Sequence, residues 1–189
     1  QFTPADNQFI YDSVTEGTHV VDVATHRHGC CVLQRCIDYA SPEQKMQIVK
    51  EIIRNSLQLV QDPFGNYVVQ YVLDLPVDNL SWKFVEALST HFVELSMQKF
   101  SSNVVEKLMQ AGDPRAVSMI VGEITEFTDI ATLLQDPFAN YVVQTALSCA
   151  DPAQRQLLVD AINPHLTMLR NTPYGKRIQG KITKESEGR

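Results

Sequence analysis

Four pairs of side chains, each spaced i and i+4 along the chain, have the chemistry to hydrogen-bond the edge of a planar ring. In chain order the pairs are Cys30 with Gln34, Asn66 with Gln70, Ser102 with Glu106, and Asn140 with Gln144. On an α-helix, residues i and i+4 lie side by side on one face. Asn with Gln offers amide donors and an acceptor that match uracil, whereas Ser with Glu offers a carboxylate that can accept guanine's two N–H groups. Cys with Gln offers a weakly polar contact and one amide, which suits adenine.

The residue that follows the first member of each pair lies about 100° further around the helix, where a side chain can stack beside a base. These residues are Cys31, Tyr67, Asn103 and Tyr141. Tyr67 and Tyr141 provide flat aromatic faces of the kind on which single-stranded bases stack. Each set of three residues therefore predicts a grip on one base.

The three residues recur inside seven-residue motifs that repeat along the chain. The motifs begin at His28, Phe64, Phe100, Phe138 and Tyr174, so their starts are 36, 36, 38 and 36 residues apart. Five residues before each start there is an apolar residue: Val23, Leu59, Leu95, Leu133 and Leu169. Two registers with one period indicate an internal repeat.

Within each repeat the pattern is helical. Val68, Val69, Val72 and Leu73 have the spacing of a buried helical stripe. Asp62-Pro63 and Asp136-Pro137 predict that a helix starts there, with Asp as N-cap and Pro at the first position. Further helices are predicted to open at Ser41-Pro42 and Asp151-Pro152, with apolar faces at Met46, Ile48, Val49, Ile52 and Ile53, and at Leu157, Leu158 and Ile162. Because one unit cannot bury its own face, neighbouring units must stack, and the sequence predicts an all-α solenoid.

The predicted repeat units form a single domain over 1–189. They cover about 5–40, 41–76, 77–112 and 113–150, and a closing half-repeat covers 151–189.

The overall charge argues against a nucleic-acid binder, because the net charge is −6, from 16 basic and 22 acidic residues. The basic residues nevertheless fall in or beside the motifs: Arg27, Arg35, Lys99, Lys107, Lys176, Arg177 and Lys181. This placement predicts a local positive stripe on an acidic protein. The candidates for phosphate contacts are Arg35, Lys99, Lys107 and Lys176.

Other classes of function find little support in the sequence. The four cysteines do not resemble a disulfide framework, which favours a reducing, cytoplasmic setting. His26, His28, Cys30 and Cys31 form a cluster of potential zinc ligands, but His28 and Cys30 occupy the repeat positions of Phe64 and Asn66, so we expect no metal or other cofactor. No nucleophile–base pair recurs and no glycine-rich phosphate loop is present, so we do not expect an enzyme.

The motifs Asn-Tyr-Val-Val-Gln and Ser-Asn-Val-Val-Glu resemble those of the Pumilio (PUF) family of RNA-binding repeat proteins, and the resemblance covers nearly the whole chain. It implies a right-handed superhelix whose concave face binds single-stranded RNA antiparallel to the chain. The repeats here, about four and a half with a period of about 36 residues, resemble the last four of the family's eight. Tyr174-Gly175-Lys176-Arg177 resembles the closing half-repeat and puts Arg177 at a stacking position. Read antiparallel, the four pairs spell 5′-UGUA-3′.

The resemblance also implies a biological role, namely binding to mRNA 3′ untranslated regions followed by translational repression or mRNA decay. At Cys31 the family often carries Arg or an aromatic residue, so this chain differs from the pattern there. The rival interpretation is a protein-binding solenoid of the HEAT or armadillo kind.

Two further expectations concern partners. The two additional residues between the third and fourth motifs are predicted to lie in a loop around Gly122–Phe127, which is either a docking site for a partner protein or an ordinary insertion. The four preceding repeats of the family are missing from this sequence. We therefore expect an exposed apolar face on the leading helix, and self-association through it, near Phe9, Ile10, Val14, Val20 and Val21.

Overall fold

The structure is a computed structural model that describes residues 3–170 and 172–184. Throughout those ranges the regular elements are helices, which confirms the predicted all-α class. The chain divides into two compact units, residues 1–87 and 88–189.

The first unit begins with one helix, followed by two repeats that are each built from a short helix, a helix that carries the motif, and a connecting helix. Its helices are α1 (Gln8–Thr15), α2 (His19–Ala24), α3 (Gly29–Tyr39), α4 (Pro42–Arg54), α5 (Ser56–Gln61), α6 (Gly65–Leu73) and α7 (Leu80–Leu88), the last of which ends in the second unit. The two motif helices, α3 and α6, pack against each other. Val68, Val69 and Val72 are fully buried, and Leu73 is half-buried, so the motif's Val pair belongs to the core.

The second unit repeats this plan. Its helices are α8 (Phe92–Ser96), α9 (Ser101–Gln110), α10 (Pro114–Glu126), α11 (Ile130–Gln135), α12 (Ala139–Cys149), α13 (Pro152–Ile162), α14 (Leu166–Leu169) and α15 (Pro173–Lys184), with a 3₁₀ turn at Asn163–His165. The motif helix α12 packs against α9 on one side and α15 on the other. Adjacent motif helices in this unit are thus in direct contact.

The connecting helices start where the sequence predicts. Ser41 caps α4 in a capping box with Gln44, and Asp151 caps α13 by accepting the N–H groups of Ala153 and Gln154. The prediction that Leu157 belongs to the apolar face of this helix is wrong, because its side chain is 61% exposed. The buried stripe of α13 consists of Leu158, Val159 and Ile162, and Leu157 precedes that stripe by about 100° of helix rotation.

The motif helices, in contrast, start later than predicted. Asp62 ends α5, and α6 begins only at Gly65. The Asp62 carboxylate oxygen Oδ1 accepts the backbone N–H groups of Phe64 and Gly65, both at 2.8 Å. Asp136 does the same for Phe138 and Ala139, also at 2.8 Å. The aspartates therefore close the turn between two helices, and their proline neighbours lie in that turn.

The additional two residues of the third repeat lie after a helix rather than in a loop at 122–127. Gly122–Glu126 form the last part of α10, and Phe127 follows as its C-cap. Only Asn55 separates α4 from α5, whereas Phe127, Thr128 and Asp129 separate α10 from α11. The expectation of a loop at Gly122 is therefore wrong, because the helix continues through it.

The second residue of each motif lies against the preceding short helix. A Cβ added at Gly29, Gly65 and Gly175 would approach the carbonyl oxygens of Val23, Leu59 and Leu169 to 2.2, 2.7 and 2.1 Å, respectively. The third and fourth repeats have Ser101 and Ala139 at this position, both fully buried. Ser101 donates its hydroxyl to the carbonyl oxygen of Leu95 at 2.7 Å. The repeats therefore differ in how closely the two helices approach each other.

The leading helix α1 is only partly as expected. Phe9 and Ile10 are 69% and 40% exposed, and Val14 is half-buried, but Val20 and Val21, which lie on α2, are buried. The apolar surface at this end is thus smaller than predicted. In the part of the chain that the structure describes, no helix combines the length and apolar character needed to cross a bilayer.

Candidate nucleic-acid interface

Four of the motif helices are preceded by a side chain that accepts one or two N–H groups at the first turn. Asp62 and Asp136 play this role in the second and fourth repeats. In the first repeat His26 replaces aspartate, and its Nδ1 accepts the N–H groups of His28 at 3.2 Å and Gly29 at 3.1 Å. In the closing half-repeat the Thr172 hydroxyl accepts the N–H of Gly175 at 3.0 Å. These turns fix where the helices that carry the predicted base-edge residues begin.

In the second repeat, the Asn66–Gln70 pair forms an amide ladder. Asn66 donates Nδ2 to the carbonyl oxygen of Asp62 at 2.8 Å and accepts Nε2 of Gln70 at Oδ1, at 3.0 Å. Asn66 is buried, so Gln70 is the more exposed end. Each side-chain NH₂ group has two N–H bonds. The ladder uses one N–H of Asn66 and one N–H of Gln70.

The fourth repeat reproduces this ladder. Asn140 donates to the carbonyl oxygen of Asp136 at 2.8 Å, and its Oδ1 accepts Nε2 of Gln144 at 3.1 Å. Asn140 is fully buried and Gln144 is half-buried. The two repeats thus share the Asp–Asn–Gln hydrogen bonds, and in the fourth repeat Gln144 Nε2 also donates to the backbone carbonyl oxygen of Asn140 at 3.2 Å.

In the third repeat the pair is held differently. Ser102 is buried and Glu106 is half-buried. An ionised Glu is only an acceptor, so it cannot donate as Gln does in the ladder. The Glu106 oxygen Oε2 instead accepts the hydroxyl of Thr145, at 2.6 Å. Thr145 lies on α12, one residue after Gln144. A residue of the fourth repeat thus holds the Glu106 side chain of the third repeat.

The first repeat carries a thiol where the second carries an amide. Cys30 is buried, and its Sγ donates to the carbonyl oxygen of Arg27 at 3.4 Å. Burial first, and then neighbouring Cys31, raise the pKa of the Cys30 thiol. Cys31 is exposed and its Sγ is 3.9 Å from that of Cys30. Gln34 lies half-buried one turn further along α3.

The stacking positions are the exposed ones. Tyr67 is 59% and Tyr141 43% exposed. Arg177 donates to the Tyr141 hydroxyl at 2.8 Å, and its guanidinium carbon is 5.7 Å from the centre of the Tyr141 ring. Asn103 is also exposed, and it donates to the carbonyl oxygen of Lys99 at 3.0 Å. Arg177 therefore lies beside Tyr141, and the stacking of either side chain on a base stays a prediction.

The four candidate phosphate contacts have unequal surroundings. Arg35 is paired with Asp38 at 3.3 Å, and Asp38 also accepts the hydroxyl of Tyr71, which raises the pKa of that phenol. Lys99 is exposed, with its ammonium 5.4 Å from the centre of the Phe100 ring. Lys176 is exposed and Lys107 is half-buried.

The residue that follows the pair links neighbouring repeats in three places. This role was not predicted from the sequence, which assigned Arg35 and Lys107 at this position to phosphates. Within the first unit Tyr71 bonds to Asp38, and within the second Thr145 bonds to Glu106 and Lys181 donates to Ser148 at 2.8 Å. The sequence offers one sign of such a role, because the residue directly after the seven-residue motif varies between repeats. It is Arg35, Tyr71, Lys107, Thr145 or Lys181.

The sulfur and imidazole groups of the first repeat do not form a metal centre of the usual size. Among the described residues there is no cluster of three or more His, Cys, Asp or Glu side chains arranged to hold an ion. The rings of His26 and His28 lie 5.9 Å apart, and the first of them is engaged in the turn.

Comparison with known proteins gives a consistent result. The model of the family described as "Pumilio-family RNA binding repeat" matches residues 19–53, 55–75, 91–125 and 129–162. A Pumilio domain-containing protein of Schizosaccharomyces pombe is 46% identical over 186 residues, which are 96% of this chain and 26% of that protein. Pumilio homolog 12 of Arabidopsis thaliana is 42% identical over 180 residues, 95% of this chain and 30% of that protein. The chain thus spans about a third or less of these relatives.

Solved structures agree with the fold. The Puf4 RNA binding domain bound to the HO endonuclease RNA 3′ UTR recognition sequence is similar with a TM-score of 0.82 and 38% identity, over 95% of this chain and 58% of that one. The RNA-binding domain of yeast Puf5p bound to SMX2 RNA has a TM-score of 0.88 and 26% identity, over 100% of this chain and 59% of that one. These matches favour the helical-repeat solenoid with RNA-reading motifs over the HEAT or armadillo interpretation.

Proposed function

Because this chain belongs to the Pumilio family of RNA-binding repeat proteins, we propose that it binds single-stranded RNA containing 5′-UGUA-3′, with one base read by each repeat. The assignments run antiparallel to the chain. Asn140 with Gln144 takes the first U, Ser102 with Glu106 the G, Asn66 with Gln70 the second U, and Cys30 with Gln34 the A.

The observation that carries the proposal is the amide ladder, which occurs in both repeats assigned to uracil. In each, a backbone carbonyl fixes Asn and Asn fixes Gln, so the Gln amide has a set orientation before any base arrives. The Gln carbonyl oxygen can accept uracil's N3–H, and Gln70 keeps an N–H beyond the ladder that can donate to a uracil carbonyl oxygen. The Gln144 NH₂ group contacts both Oδ1 and the backbone carbonyl oxygen of Asn140. Because the groups are already oriented, binding requires less ordering of side chains.

The other two readers support the same assignment. The Glu106 carboxylate is an acceptor, as guanine's N1–H and N2–H₂ require. Cys30, which donates only weakly, leaves most of the discrimination at its repeat to Gln34. The exposed rings of Tyr67 and Tyr141 supply stacking surfaces beside the bases. Lys99, Lys107, Lys176 and Arg35 are the side chains proposed to meet phosphates.

In the cell, we propose that the protein acts in the cytoplasm on mRNA 3′ untranslated regions and lowers the output of its targets by translational repression or decay. It does so by binding RNA and recruiting other factors, without catalysis of its own. The helix end at 122–127 remains a proposed contact for a protein partner, and Phe9 and Ile10 a proposed contact for self-association.

The test is a fluorescence-anisotropy titration of the chain with labelled RNA containing UGUA and with a scrambled RNA of the same composition. We expect preference for the UGUA RNA. Gln144→Ala removes the exposed end of one ladder and is expected to weaken binding by about 1–3 kcal/mol, as for an unpaired polar group. Gln156→Ala is the matched control, because Gln156 is an exposed glutamine bonded to Asp160 four residues away, outside the motifs. Equal affinity for both RNAs would refute the proposed function.

A further inference from the structure

The Glu106 carboxylate is held by a residue that the three-residue motif does not include. Thr145 Oγ1 donates to Glu106 Oε2 at 2.6 Å, from a position 39 residues along the chain. The two residues lie on α12 and α9, which pack against each other. Both side chains are half-buried, so the hydrogen bond is partly shielded from water.

This contact meets a need specific to Glu. In the second and fourth repeats, Gln donates to the Asn four residues before it. Glu has no N–H with which to do so, and the third repeat has Ser102 in place of Asn. The Glu106 carboxylate therefore needs a hydrogen-bond donor on another side chain to restrict its rotation. The hydroxyl of Thr145 is such a donor.

The geometry also leaves the carboxylate able to read a base. Two carboxylate oxygens offer about four acceptor sites, and Thr145 occupies one of them. The remaining sites can accept the parallel N1–H and N2–H₂ groups of guanine. Fixing one oxygen restricts rotation of the Glu side chain before binding, which reduces the entropy lost on binding.

We propose that Thr145 is a positioning residue for guanine recognition: the choice of base at the third repeat depends on a side chain of the fourth. The inference rests on the function proposed above and deepens it. Thr145 acts through Glu106 and does not itself touch the base.

The first experiment compares Thr145→Val with Thr145→Ser. Val keeps the shape of Thr but lacks the hydroxyl, whereas Ser keeps the hydroxyl. Dissociation constants are measured for four RNAs that differ only at the second base of UGUA. We expect Thr145→Val to reduce the preference for G over A by about five- to tenfold, and Thr145→Ser to keep it within about twofold. An unchanged preference in Thr145→Val would overturn the proposal.

A second measurement separates positioning from a merely structural role. Gln144, one residue earlier on the same helix, reads the first U, so a general distortion of α12 would also lower discrimination at that base. We expect Thr145→Val to leave the preference for U at the first position unchanged. A loss that is equal for all RNAs, or that extends to the first U, would mean that Thr145 only supports the packing of α9 on α12, and the proposal would be wrong.

A third measurement tests the two parallel hydrogen bonds. RNA with inosine in place of guanosine lacks the 2-amino group. The ratio of its dissociation constant to that of the parent RNA therefore reports the hydrogen bond from guanine N2–H₂. We expect Thr145→Val to reduce the advantage of guanosine over inosine, because a freely rotating carboxylate aligns poorly with both N–H groups. An advantage equal to that of the wild type would contradict this. If the wild type shows no preference for UGUA, the proposed function fails together with the role of Thr145; if it shows one that Thr145→Val retains, only the role of Thr145 fails.

Discussion

The third and fourth repeats hold their base-reading residues in different ways. In the fourth, the hydrogen bonds that hold Gln144 lie within one repeat, because Gln144 donates to Asn140 and Asn140 donates to Asp136. In the third, Glu106 depends on Thr145 of the next repeat. The amide reader is therefore complete in its own helix, and the carboxylate reader is not. On the base assignments proposed above, a code of three residues per repeat would be local for uracil and shared between neighbours for guanine.

The largest effect is expected from making the third repeat like the fourth. The double substitution Ser102→Asn and Glu106→Gln supplies the residues of the amide ladder. A carboxylate would repel the carbonyl oxygens of uracil, but Gln offers both a donor and an acceptor. We expect preference for UUUA over UGUA by about tenfold or more. Competition between four RNAs varied at that one base measures this result.

The control for the double substitution is the wild type with the same four RNAs. Continued selection of G, or an equal loss for all four bases, would show that the third repeat is wrongly assigned. Asn103 limits the exchange, since an amide stacks less well than the Tyr141 ring of the fourth repeat.

The next effect concerns stacking, in which the two repeats also differ. Tyr141→Ala should weaken binding by about 1–3 kcal/mol whichever base is present, because the face of a ring does not read base edges. Tyr67→Ala should cause a similar loss. Asn103→Ala serves as the matched substitution in the third repeat and should have a smaller effect. Titrations of all three variants decide the matter, and unchanged binding in both tyrosine variants would rule out a stacking role.

Much of this arrangement can be predicted from sequence because it is periodic. The Val pairs of the motifs, such as Val142 and Val143, are buried as expected. The start of the motif helix was misplaced because Asp-Pro is compatible with two local structures. Asp151 and Asp136 both accept the N–H groups two and three residues ahead. After Asp151 the proline is already the first residue of the helix, whereas after Asp136 the proline lies in a turn and the helix begins at Ala139. Composition alone does not distinguish them.

Contacts between repeats are harder to predict. The bond from Thr145 to Glu106 depends on the distance between two helices, and the neighbours of Thr145 in sequence give no sign of it. The two additional residues were visible as a longer spacing, but their position after Glu126 was not. A connection tolerates added length at little entropic cost, so the pattern sets no constraint on where it occurs.

The smallest effect is expected from the turns. Asp136→Ala leaves the N–H groups of Phe138 and Ala139 without their acceptor and should lower the free energy of unfolding by about 1–2 kcal/mol. Urea denaturation followed by circular dichroism measures this change. Asp160→Ala, an exposed substitution on α13, is the control. In the first repeat, His26→Asp restores the acceptor of the other turns and should not destabilise the protein; a loss as large as that of Asp136→Ala would show that the turns are not equivalent.

The residue at the second position of each motif limits how the repeats can be recombined. Gly65 has no room for a Cβ beside Leu59, yet Ala139 and Ser101 carry one in their own repeats. A seven-residue block moved from the fourth repeat to the second would therefore bring a methyl group into a backbone oxygen, although its base-reading residues are identical. To change the target sequence of such a protein, the proposed base-contacting side chains should therefore be exchanged one by one. Each helix should keep its own residue at the second motif position.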